Sequence, residues 1–370
     1  MMDRFDIIIV GGGIAGASLG AEVISPARRV LILEAESHPG LHSTGRSAAF
    51  WLESYGGPEV ARLSHASHAF LSSPPEDFAE QGFLRPRGAI HLDESGHSDA
   101  FAGMPASVET APMTRAELDE AAPGLAPRWR QGMSEPGCAD IDVAGLHQAY
   151  LRAFRRGGGE LWTNSRLFSA RRDDFGWIIR TEDGREVAAN IIVDAAGAWA
   201  DPVAQACGVA PLGIVPKRRT MVQLRCKRGG LRDLPQLLDN RGSFYIKGDG
   251  DRVVWVSPHD EIATDPCDAQ PEEIDVAVTI DRFERAVDWG VEAVERKWAG
   301  LRSFAPDRLP IYGYDVAEPS FFWFAGQGGF GIQTAPAAAK LAAAVLTGEA
   351  PDPMVAGLDS ELYSPTRFAR

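Results

Sequence analysis

The sequence predicts an α/β fold that carries α+β inserts, and three segments indicate it. First, "FDIIIV", "IAGASLGAEVI" and "RRVLILE" read as a buried strand, a closely packed helix and a second buried strand, which together form a βαβ unit. Second, an amphipathic helix that begins near Asp142 precedes the strand candidates "ELWTN", "GWIIRT" and "NIIVDAAG". Third, the strand "FFWFA" leads into a glycine loop and an alanine-rich helix that ends at Gly348.

Two inserts separate these segments. The first holds a helix that begins at Pro58, the strand "GAIHLDE" and a helix whose capping box lies in "TRAELDE". The second covers about 214–302, where "TMVQLRC", "SFYIKG" and "RVVWVSP" read as strands before a helix from about Pro271 to Val287. We therefore predict a nucleotide-binding domain from residues 1–49, 141–213 and 303–370, and a substrate-binding domain on a mixed sheet from residues 50–140 and 214–302.

Charge and cysteine content narrow the class of protein. With 37 basic and 51 acidic residues the formal net charge is −14, which argues against nucleic acid as a partner and provides no basic stripe for anionic membranes. The four cysteines form no C-x-x-C pair, so we expect neither a metal site nor a disulfide framework. The N-terminus does not read as a signal peptide, and we find no apolar run long enough for a transmembrane segment. We therefore expect a cytoplasmic protein with free thiols.

The turn between the first strand and the first helix carries a dinucleotide-binding pattern. Gly11, Gly13 and Gly16 form G-x-G-x-x-G around Ile14 and Ala15, and Glu34 ends the next strand. Such glycines let the backbone approach a pyrophosphate at the helix N-terminus, while the acidic residue accepts hydrogen bonds from ribose hydroxyls. A tight structural turn is the alternative, and the pattern alone does not separate FAD from NAD.

Three later segments favour FAD. The small, hydroxyl-rich "HSTGRSAA" suits a pyrophosphate and a ribityl chain, and "VDAAGAWAD" places small residues at the end of a buried strand. "GQGGFGIQ" precedes a helix whose N-terminus would favour negative charge on a reduced flavin. The cofactor-binding residues predicted in these segments are Ser43, Thr44, Arg46, Ser47, Ala49, Gly197, Gly326, Gly328, Gly329, Gly331 and Ile332.

Together these segments resemble the D-amino acid oxidase and dehydrogenase family of FAD proteins, and most closely the bacterial D-arginine dehydrogenases. "HSTGRSAA", "ADIDVAGLHQAYL", "PKRR", "SFYIK", "WAGLRSF" and "QGGFGIQT" carry the resemblance from end to end. It implies a glycine oxidase/D-amino acid oxidase-like fold, in which an FAD-binding Rossmann-like domain is interrupted by a mixed-sheet substrate domain. It also implies hydride transfer from the substrate Cα to flavin N5, which gives an imino acid that water hydrolyses to a 2-oxo acid and ammonia.

The resemblance also assigns roles to residues at matching positions. Arg219 and Arg302 would bind the substrate carboxylate, with the Tyr245 hydroxyl as a third donor, and Tyr55 would be a gate over the substrate. The backbone from Gly329 to Gln333 would contact the flavin and the substrate amine, which makes Gly329, Ile332 and Gln333 contact residues.

Three positions depart from the arginine enzymes. Phe50, Leu52 and Ala89 stand where those enzymes have a histidine, a threonine and a carboxylate. Burying a guanidinium without its carboxylate costs several kcal/mol, so we expect a neutral or hydrophobic substrate side chain in place of arginine. Glu53 leaves an alternative open, because its side chain would replace the missing carboxylate if it turned inward.

The sequence therefore predicts an FAD-dependent D-amino acid dehydrogenase or oxidase, a flavoprotein oxidoreductase. Its partners would be a small amino acid or amine substrate and an electron acceptor such as dioxygen, a quinone or a dye-like molecule. Two alternatives remain: an oxidase of N-substituted glycines or other secondary amino acids on the same fold, and a flavoprotein without catalytic activity. An NAD-dependent dehydrogenase would leave the C-terminal glycine loop without a role.

Overall fold

The computed structural model describes residues 2–369, which form seven α-helices and 21 strands. The helices are α1 (Ile14–Val23), α2 (Pro58–Ser72), α3 (Arg115–Ala121), α4 (Val143–Arg156), α5 (Ala200–Ala206), α6 (Glu273–Ala286) and α7 (Ala335–Thr347). The strands are β1 (Arg4–Val10), β2 (Val30–Leu33), β3 (Phe50–Trp51), β4 (Leu84–Pro86), β5 (Ala89–Asp93), β6 (Ala111–Met113), β7 (Gln131–Glu135), β8 (Ala139–Ile141), β9 (Glu160–Trp162), β10 (Leu167–Asp173), β11 (Gly176–Thr181), β12 (Glu186–Asp194), β13 (Val215–Cys226), β14 (Gln236–Asp239), β15 (Tyr245–Gly250), β16 (Val253–Ser257), β17 (Ile262–Ala263), β18 (Val291–Phe304), β19 (Ile311–Tyr314), β20 (Phe321–Ala325) and β21 (Gln327–Gly328).

The first sheet is the α/β part of the molecule. Its strand order is β10-β11-β12-β1-β2-β9, and β20 pairs in parallel with the end of β12. Strand β1 is parallel to both β12 and β2, as a βαβ crossover requires. Apolar side chains pack on both faces of this sheet, which explains why β1 and β2 are almost continuously apolar.

Helix α1 packs closely on β1 because it carries glycine where contact is tightest. A Cβ atom at Gly16 would lie 1.9 Å from the Gly11 carbonyl oxygen. Gly11 itself has a φ of +108°, and a Cβ there would lie 2.5 Å from the Ala195 carbonyl oxygen. The glycine pattern therefore brings β1, α1 and the end of β12 together.

The second sheet is mixed. Its order is β21-β18-β13-β16-β15-β14-β5-β7-β6, with β14 parallel to β5 and the other pairs antiparallel. The long pair β13·β18 carries Arg219 and Arg302, two residues apart in register, since Lys217 is opposite Arg302 and Arg219 is opposite Gly300. A small sheet, β3-β8-β4, includes Phe50 opposite Asp140.

These elements agree with the predicted α/β fold with α+β inserts, although several strands, among them β10 and β18, were not predicted. β10 reads "LFSARRD", where charged residues hide the strand, and the first half of β18 is exposed and rich in charge. The strands of the second sheet lie at 89–135 and 215–328, and we keep the predicted domain boundaries as a proposal. No helix within residues 2–369 combines the length and the apolar composition needed to cross a membrane.

Candidate active site

The larger cavity is a cleft at the carboxyl ends of β1, β2 and β12, beside the N-terminus of α1. Its volume is about 300 Å³. In an open α/β sheet this edge is the usual position for a nucleotide. Thirteen residues predicted to bind the cofactor line the cleft: Gly11, Gly13, Ile14, Ala15, Glu34, Ser43, Thr44, Ser47, Gly197, Gly328, Gly329, Gly331 and Ile332.

The groups around the glycine loop fit a dinucleotide. Gly13, the residue before α1, has no side chain to cap the helix, and the Ile14 N–H donates to Thr44 Oγ1 at 3.0 Å; the helix N-terminus still offers positive potential to a pyrophosphate. Glu34 Oε2 accepts a hydrogen bond from the Gly12 N–H at 2.9 Å, which holds the loop, and its carboxylate also lines the cleft. A carboxylate has several acceptor positions, so ribose hydroxyls can bind to those that remain.

Four predicted cofactor residues lie outside the cleft lining, and each has another role. Gly16 allows the close packing of α1 described above. The Arg46 guanidinium, predicted to wrap the pyrophosphate, instead donates to the carbonyls of Ala269 (2.9 Å) and Ala299 (3.3 Å) and pairs with Asp268, so it ties its segment to the second sheet.

Ala49 and Gly326 are the other two predicted cofactor residues outside the cleft lining. Ala49 lines the second cavity described below, and it has a φ of +56°, which is unusual for a residue with a side chain. Gly326 has a φ of +72° and lies against Ala305, so it shapes the turn before the glycine loop. Both residues support the site without lining the cleft.

Some cleft residues were not predicted from the sequence. Trp199 and His42 line the cleft with ring centroids 4.7 Å apart, and His42 Nε2 contacts Glu36 Oε1 at 3.0 Å. His42 Nδ1 is buried and has no hydrogen-bond partner within residues 2–369. Arg166 also lines the cleft. The motif "VDAAGAWAD" includes Trp199 and pointed to this region, whereas Arg166 lies outside the motifs and had no sequence signal.

A smaller cavity of about 60 Å³ adjoins the cleft. Ser47, Arg302 and Gly329 line both cavities. The residues that line only the smaller one include five that the sequence predicted for the site, namely Ala49, Phe50, Tyr55, Arg219 and Tyr245. A molecule in this cavity would therefore contact both the predicted substrate-binding residues and whatever occupies the cleft.

Arg302 is a buried cation without a counterion in contact. The residue is 8% exposed, and its Nη1 has no hydrogen-bond partner within residues 2–369. Its Nη2 makes one long hydrogen bond, 3.5 Å, to the Arg46 carbonyl oxygen. Burial lowers the pKa of the guanidinium because desolvation disfavours its charged form. An anionic ligand in the cavity would satisfy this cation.

Arg219 is held by several partners. Its Nε donates to the Asp260 carbonyl oxygen at 2.8 Å, and its Nη2 donates to Glu261 Oε1 at 3.1 Å. Its Nη1 donates to the Tyr55 hydroxyl at 3.3 Å. The Tyr245 hydroxyl donates to Met221 Sδ at 3.0 Å, and a thioether is a weak acceptor. A carboxylate would therefore be a better acceptor for Tyr245 than the partner it has.

Four of the aromatic residues that line the smaller cavity have neighbouring rings. The ring centroids of Phe50 and Tyr55 are 6.3 Å apart, and those of Tyr55 and His259 are 6.1 Å apart. The ring centroid of Tyr245 lies 5.8 Å from that of His259 and 5.5 Å from that of Phe50, so the four rings form a circle. His259 was not predicted as a site residue because its stretch "SPHDE" resembles an ordinary polar turn.

Three predicted substrate-binding residues lie behind this lining. Leu52 and Ala89 pack with Cys138 in a buried cluster that supports Phe50 and Tyr55. Gln333 accepts a hydrogen bond from the Leu52 N–H at 3.1 Å and donates to the Leu52 carbonyl at 3.0 Å. These contacts place the side chains of all three away from the cavity, so they shape the site from behind.

Glu53 points away from the smaller cavity. Its Oε1 lies 2.9 Å from Nδ1 of His65 on α2, and it does not line the cavity. Asp239 does line the cavity, but its carboxylate accepts hydrogen bonds from the Arg241 N–H and the Ser243 hydroxyl within the turn after β14. Glu53 is therefore turned away from the cavity, whereas the Asp239 carboxylate is held by its turn and still lines the cavity.

Lys247 fixes the segment between the two cavities and was not predicted as a site residue. Its Nζ donates to the carbonyls of Ala48 and Ala49, both at 3.0 Å, and lies 3.1 Å from Asp140 Oδ1. The ammonium also lies 4.9 Å from the centroid of the Trp255 ring. The segment is thereby held with Ser47 toward the cleft and Phe50 toward the smaller cavity.

Comparison with known proteins identifies the family. A family model described as FAD dependent oxidoreductase, DAO, matches residues 6–345. The chain belongs to this family of FAD-dependent oxidoreductases. Its cofactor is therefore FAD, for which the cleft provides the glycine loop, the helix N-terminus and Glu34.

Individual relatives support the same family. Glycine oxidase of Geobacillus kaustophilus (strain HTA426) is 26% identical over 366 residues, which cover 93% of each chain. The crystal structure of glycine oxidase from Geobacillus kaustophilus has a TM-score of 0.83, with 24% identity and 99% of each chain covered. That of L-proline dehydrogenase from P. horikoshii has a TM-score of 0.84 at 20% identity, covering 100% of this chain and 98% of that one. At these identities the structural likeness shows the fold.

Proposed function

We propose that this FAD-dependent oxidoreductase oxidises the Cα–N bond of a small D-amino acid with a neutral side chain. The product would be an imino acid, which water hydrolyses to a 2-oxo acid and ammonia. FAD, when bound, supplies the acceptor for the hydride that leaves the substrate. The protein's part is to bind the carboxylate, orient the substrate and exclude water.

The observation that carries this proposal is the buried guanidinium of Arg302 at the junction of the two cavities, whose Nη1 has no hydrogen-bond partner within residues 2–369. Buried charges are normally paired, so this cation favours an anionic ligand. Arg219 and the Tyr245 hydroxyl line the same cavity. An α-carboxylate is the anion that an amino acid brings, and guanidinium groups bind it with good geometry.

The cavity supports a small and neutral side chain. Its volume is about 60 Å³. Because a water molecule requires about 10–15 Å³ of such space, the cavity holds on the order of five water-sized groups. A bulky side chain would need Phe50 or Tyr55 to move. A guanidinium side chain would find Glu53 turned toward His65, and Asp239 already bound by the Arg241 N–H and the Ser243 hydroxyl, which makes Asp239 a weaker partner.

The D configuration rests on the sequence resemblance to D-arginine dehydrogenases, in the motifs around Arg219, Tyr245 and Arg302. Phe50 and Ala89 differ from the residues of the D-arginine dehydrogenases at these positions, which argues against arginine as the preferred substrate.

A second candidate function is oxidation of an N-methylated glycine. The circle of Phe50, Tyr55, His259 and Tyr245 favours it, because aromatic rings around a small space attract methylated ammonium groups. Among the relatives, mitochondrial dimethylglycine dehydrogenase of Homo sapiens is 27% identical over 265 residues, or 68% of this chain and 30% of that protein. Its name agrees with such a substrate.

Anaerobic reduction of the bound FAD by single compounds tests both functions. D-alanine, L-alanine, N-methylglycine and D-arginine would be mixed with the FAD-loaded protein, and the loss of the flavin's visible absorbance would be followed. Faster reduction by D-alanine than by the others supports the first proposal, and reduction by N-methylglycine alone supports the second. Fastest reduction by D-arginine would contradict the neutral pocket, and no reduction by any of them would favour a flavoprotein without this activity.

A further inference from the structure

The part of the smaller cavity's lining that is not shared with the FAD cleft includes polar groups besides Arg219 and Tyr245. Ser47, Arg302 and Gly329 line both cavities and mark the end beside the cleft. His259, Gly242 and Asp239 are among the residues that line only the smaller cavity. Because the reacting carbon of a substrate has to face the cleft, its side chain is left to face residues that line only the smaller cavity.

His259 is held in one orientation by its neighbours. Its φ is +53°, a backbone conformation that is unusual outside glycine, and its N–H donates to Ser257 Oγ at 3.1 Å. Its Nδ1 lies 2.9 Å from the Gly242 carbonyl oxygen. A carbonyl only accepts hydrogen bonds, so Nδ1 carries the proton and Nε2 presents a lone pair. No partner for Nε2 is found within residues 2–369.

Burial, together with two nearby arginines, keeps the His259 imidazole neutral. Burial and the nearby Arg219 lower its pKa to about 4, and Arg308 acts in the same direction. Glu261 and the Gly242 carbonyl raise the pKa but do not compensate. Near neutral pH, Nε2 is therefore an acceptor of hydrogen bonds and not a donor.

We propose that His259 Nε2 accepts a hydrogen bond from the side chain of the substrate. The substrate class is then narrower than neutral amino acids: the side chain carries a hydroxyl or amide donor, as in D-serine. This inference rests on the proposed function, because it assumes that the substrate's carboxylate binds beside Arg302. It also makes the pocket less apolar than the departures at Phe50 and Ala89 predicted.

A binding experiment with two unreactive ligands tests this inference. α-Methyl-D-serine and 2-aminoisobutyrate differ by one hydroxyl group, and neither has a hydrogen on Cα, so neither is oxidised. Titration calorimetry on the FAD-loaded protein would measure both dissociation constants. A single neutral hydrogen bond predicts that α-methyl-D-serine binds roughly three- to tenfold more tightly.

Two variants assign the preference to His259. His259→Phe removes the acceptor with little change in size, and we expect it to abolish the difference between the two ligands. His259→Gln keeps an acceptor close to the position of Nε2, and we expect it to retain a difference. Equal affinities in the unchanged protein, or an undiminished difference in His259→Phe, would overturn the inference. If His259→Phe does not fold, His259→Leu replaces it, and the wild-type comparison needs no variant.

Flavin reduction separates this inference from the proposed function. If D-alanine reduces the FAD but the hydroxyl group gives no advantage in binding, the role of His259 is refuted and the proposed function stands. If neither D-alanine nor D-serine reduces the FAD, the proposed function fails whatever the calorimetry shows.

Discussion

At the scale of the residue, Arg219 and Arg302 differ although both line the smaller cavity. Arg219 is 2% exposed and has Glu261 and the Asp260 carbonyl as partners. Arg302 has no carboxylate in contact, and its Nη1 has no partner within the described chain, residues 2–369. The positive charge available to a substrate therefore comes mainly from Arg302.

Arg302→Met tests this difference. We expect kcat/KM for the reacting amino acid to fall by roughly 30-fold or more, because losing one partner of a buried charge pair costs about 2–5 kcal/mol. The midpoint of thermal unfolding without substrate should not fall, since an unpaired buried charge has been removed. Steady-state kinetics and calorimetry measure the two effects, with the exposed Arg285→Met as control. Unchanged kcat/KM would contradict the carboxylate-binding role.

Lys247 is a second residue whose role depends on contacts. Lys247→Met removes the donors to the carbonyls of Ala48 and Ala49 and leaves Asp140 with Arg87 alone. Since each unsatisfied buried group costs about 1–3 kcal/mol, we expect the free energy of unfolding to fall by about 2–4 kcal/mol. Urea unfolding of this variant and of the exposed Lys227→Met measures it. Equal midpoints for the two variants would argue against the role of Lys247.

At the scale of the element, the turn after β16 holds the active-site end of β13. Glu261 in this turn contacts Lys217 at 3.1 Å, Arg219 at 3.1 Å and Arg308 at 2.8 Å. Burial by itself raises the pKa of Glu261, but hydrogen bonds from Arg308 and Lys217 outweigh burial and lower it to about 2. One carboxylate thus organises three cations beside the cavity.

This pKa predicts how stability depends on pH. The folded pKa lies below the usual 4.5, so the contribution of Glu261 is present above that pH and is lost as pH falls toward about 2. Between about pH 5 and pH 3, Glu261→Gln should therefore lose less stability than the unchanged protein. Urea unfolding at both pH values measures this, with the exposed Glu273→Gln as control. An identical loss in Glu261→Gln and wild type would refute the prediction.

The glycine loop before α7 and the segment that carries Tyr55 meet at one close contact. A Cβ at Gly329 would lie 2.3 Å from the Tyr55 hydroxyl oxygen. Gly329→Ala should displace Tyr55 and lower kcat/KM, and Tyr55→Phe in the same chain should restore part of it by removing the clashing oxygen.

Kinetics of both single variants and the double variant form a double-mutant cycle. We expect an interaction energy of about 0.5–3 kcal/mol, as for residues in direct contact. Tyr55→Phe alone is the control for loss of the hydrogen bond from Arg219. Purely additive effects would mean that Gly329 acts through another neighbour.

At the scale of the whole molecule, FAD binding should stabilise the fold, because its cleft joins β1, β2, β12 and the end of β18. At an FAD concentration about 100 times its dissociation constant, the expected stabilisation is about 2.7 kcal/mol. Glu34→Ala should show less stabilisation at the same FAD concentration, since the loop loses the contact at Gly12. Thermal unfolding with and without FAD measures it, with the exposed Glu186→Gln as control; equal shifts in the two variants would contradict the role of Glu34.

Local patterns in the sequence predicted much of this molecule. The βαβ unit was predicted from the spacing of Gly11 and Gly16 and from the apolar strand before them. Close packing requires glycine at fixed positions, and burial on both faces requires a continuous apolar run, so both leave a local pattern in the sequence. The capping box at Thr114 and the C-terminal Gly348 were likewise found where predicted. The family motifs then selected Arg219, Tyr245 and Arg302, which the structure brings to one cavity.

The sequence by itself therefore determined the fold class, the family and the residues that line the junction of the two cavities. Only the tertiary structure decided where side chains point. It turned Arg46 toward Ala269, turned Glu53 toward His65 and brought His259 to the cavity. The physical reason is that these orientations depend on hydrogen-bond partners far away in the chain or on another element, and local spacing carries no record of such partners.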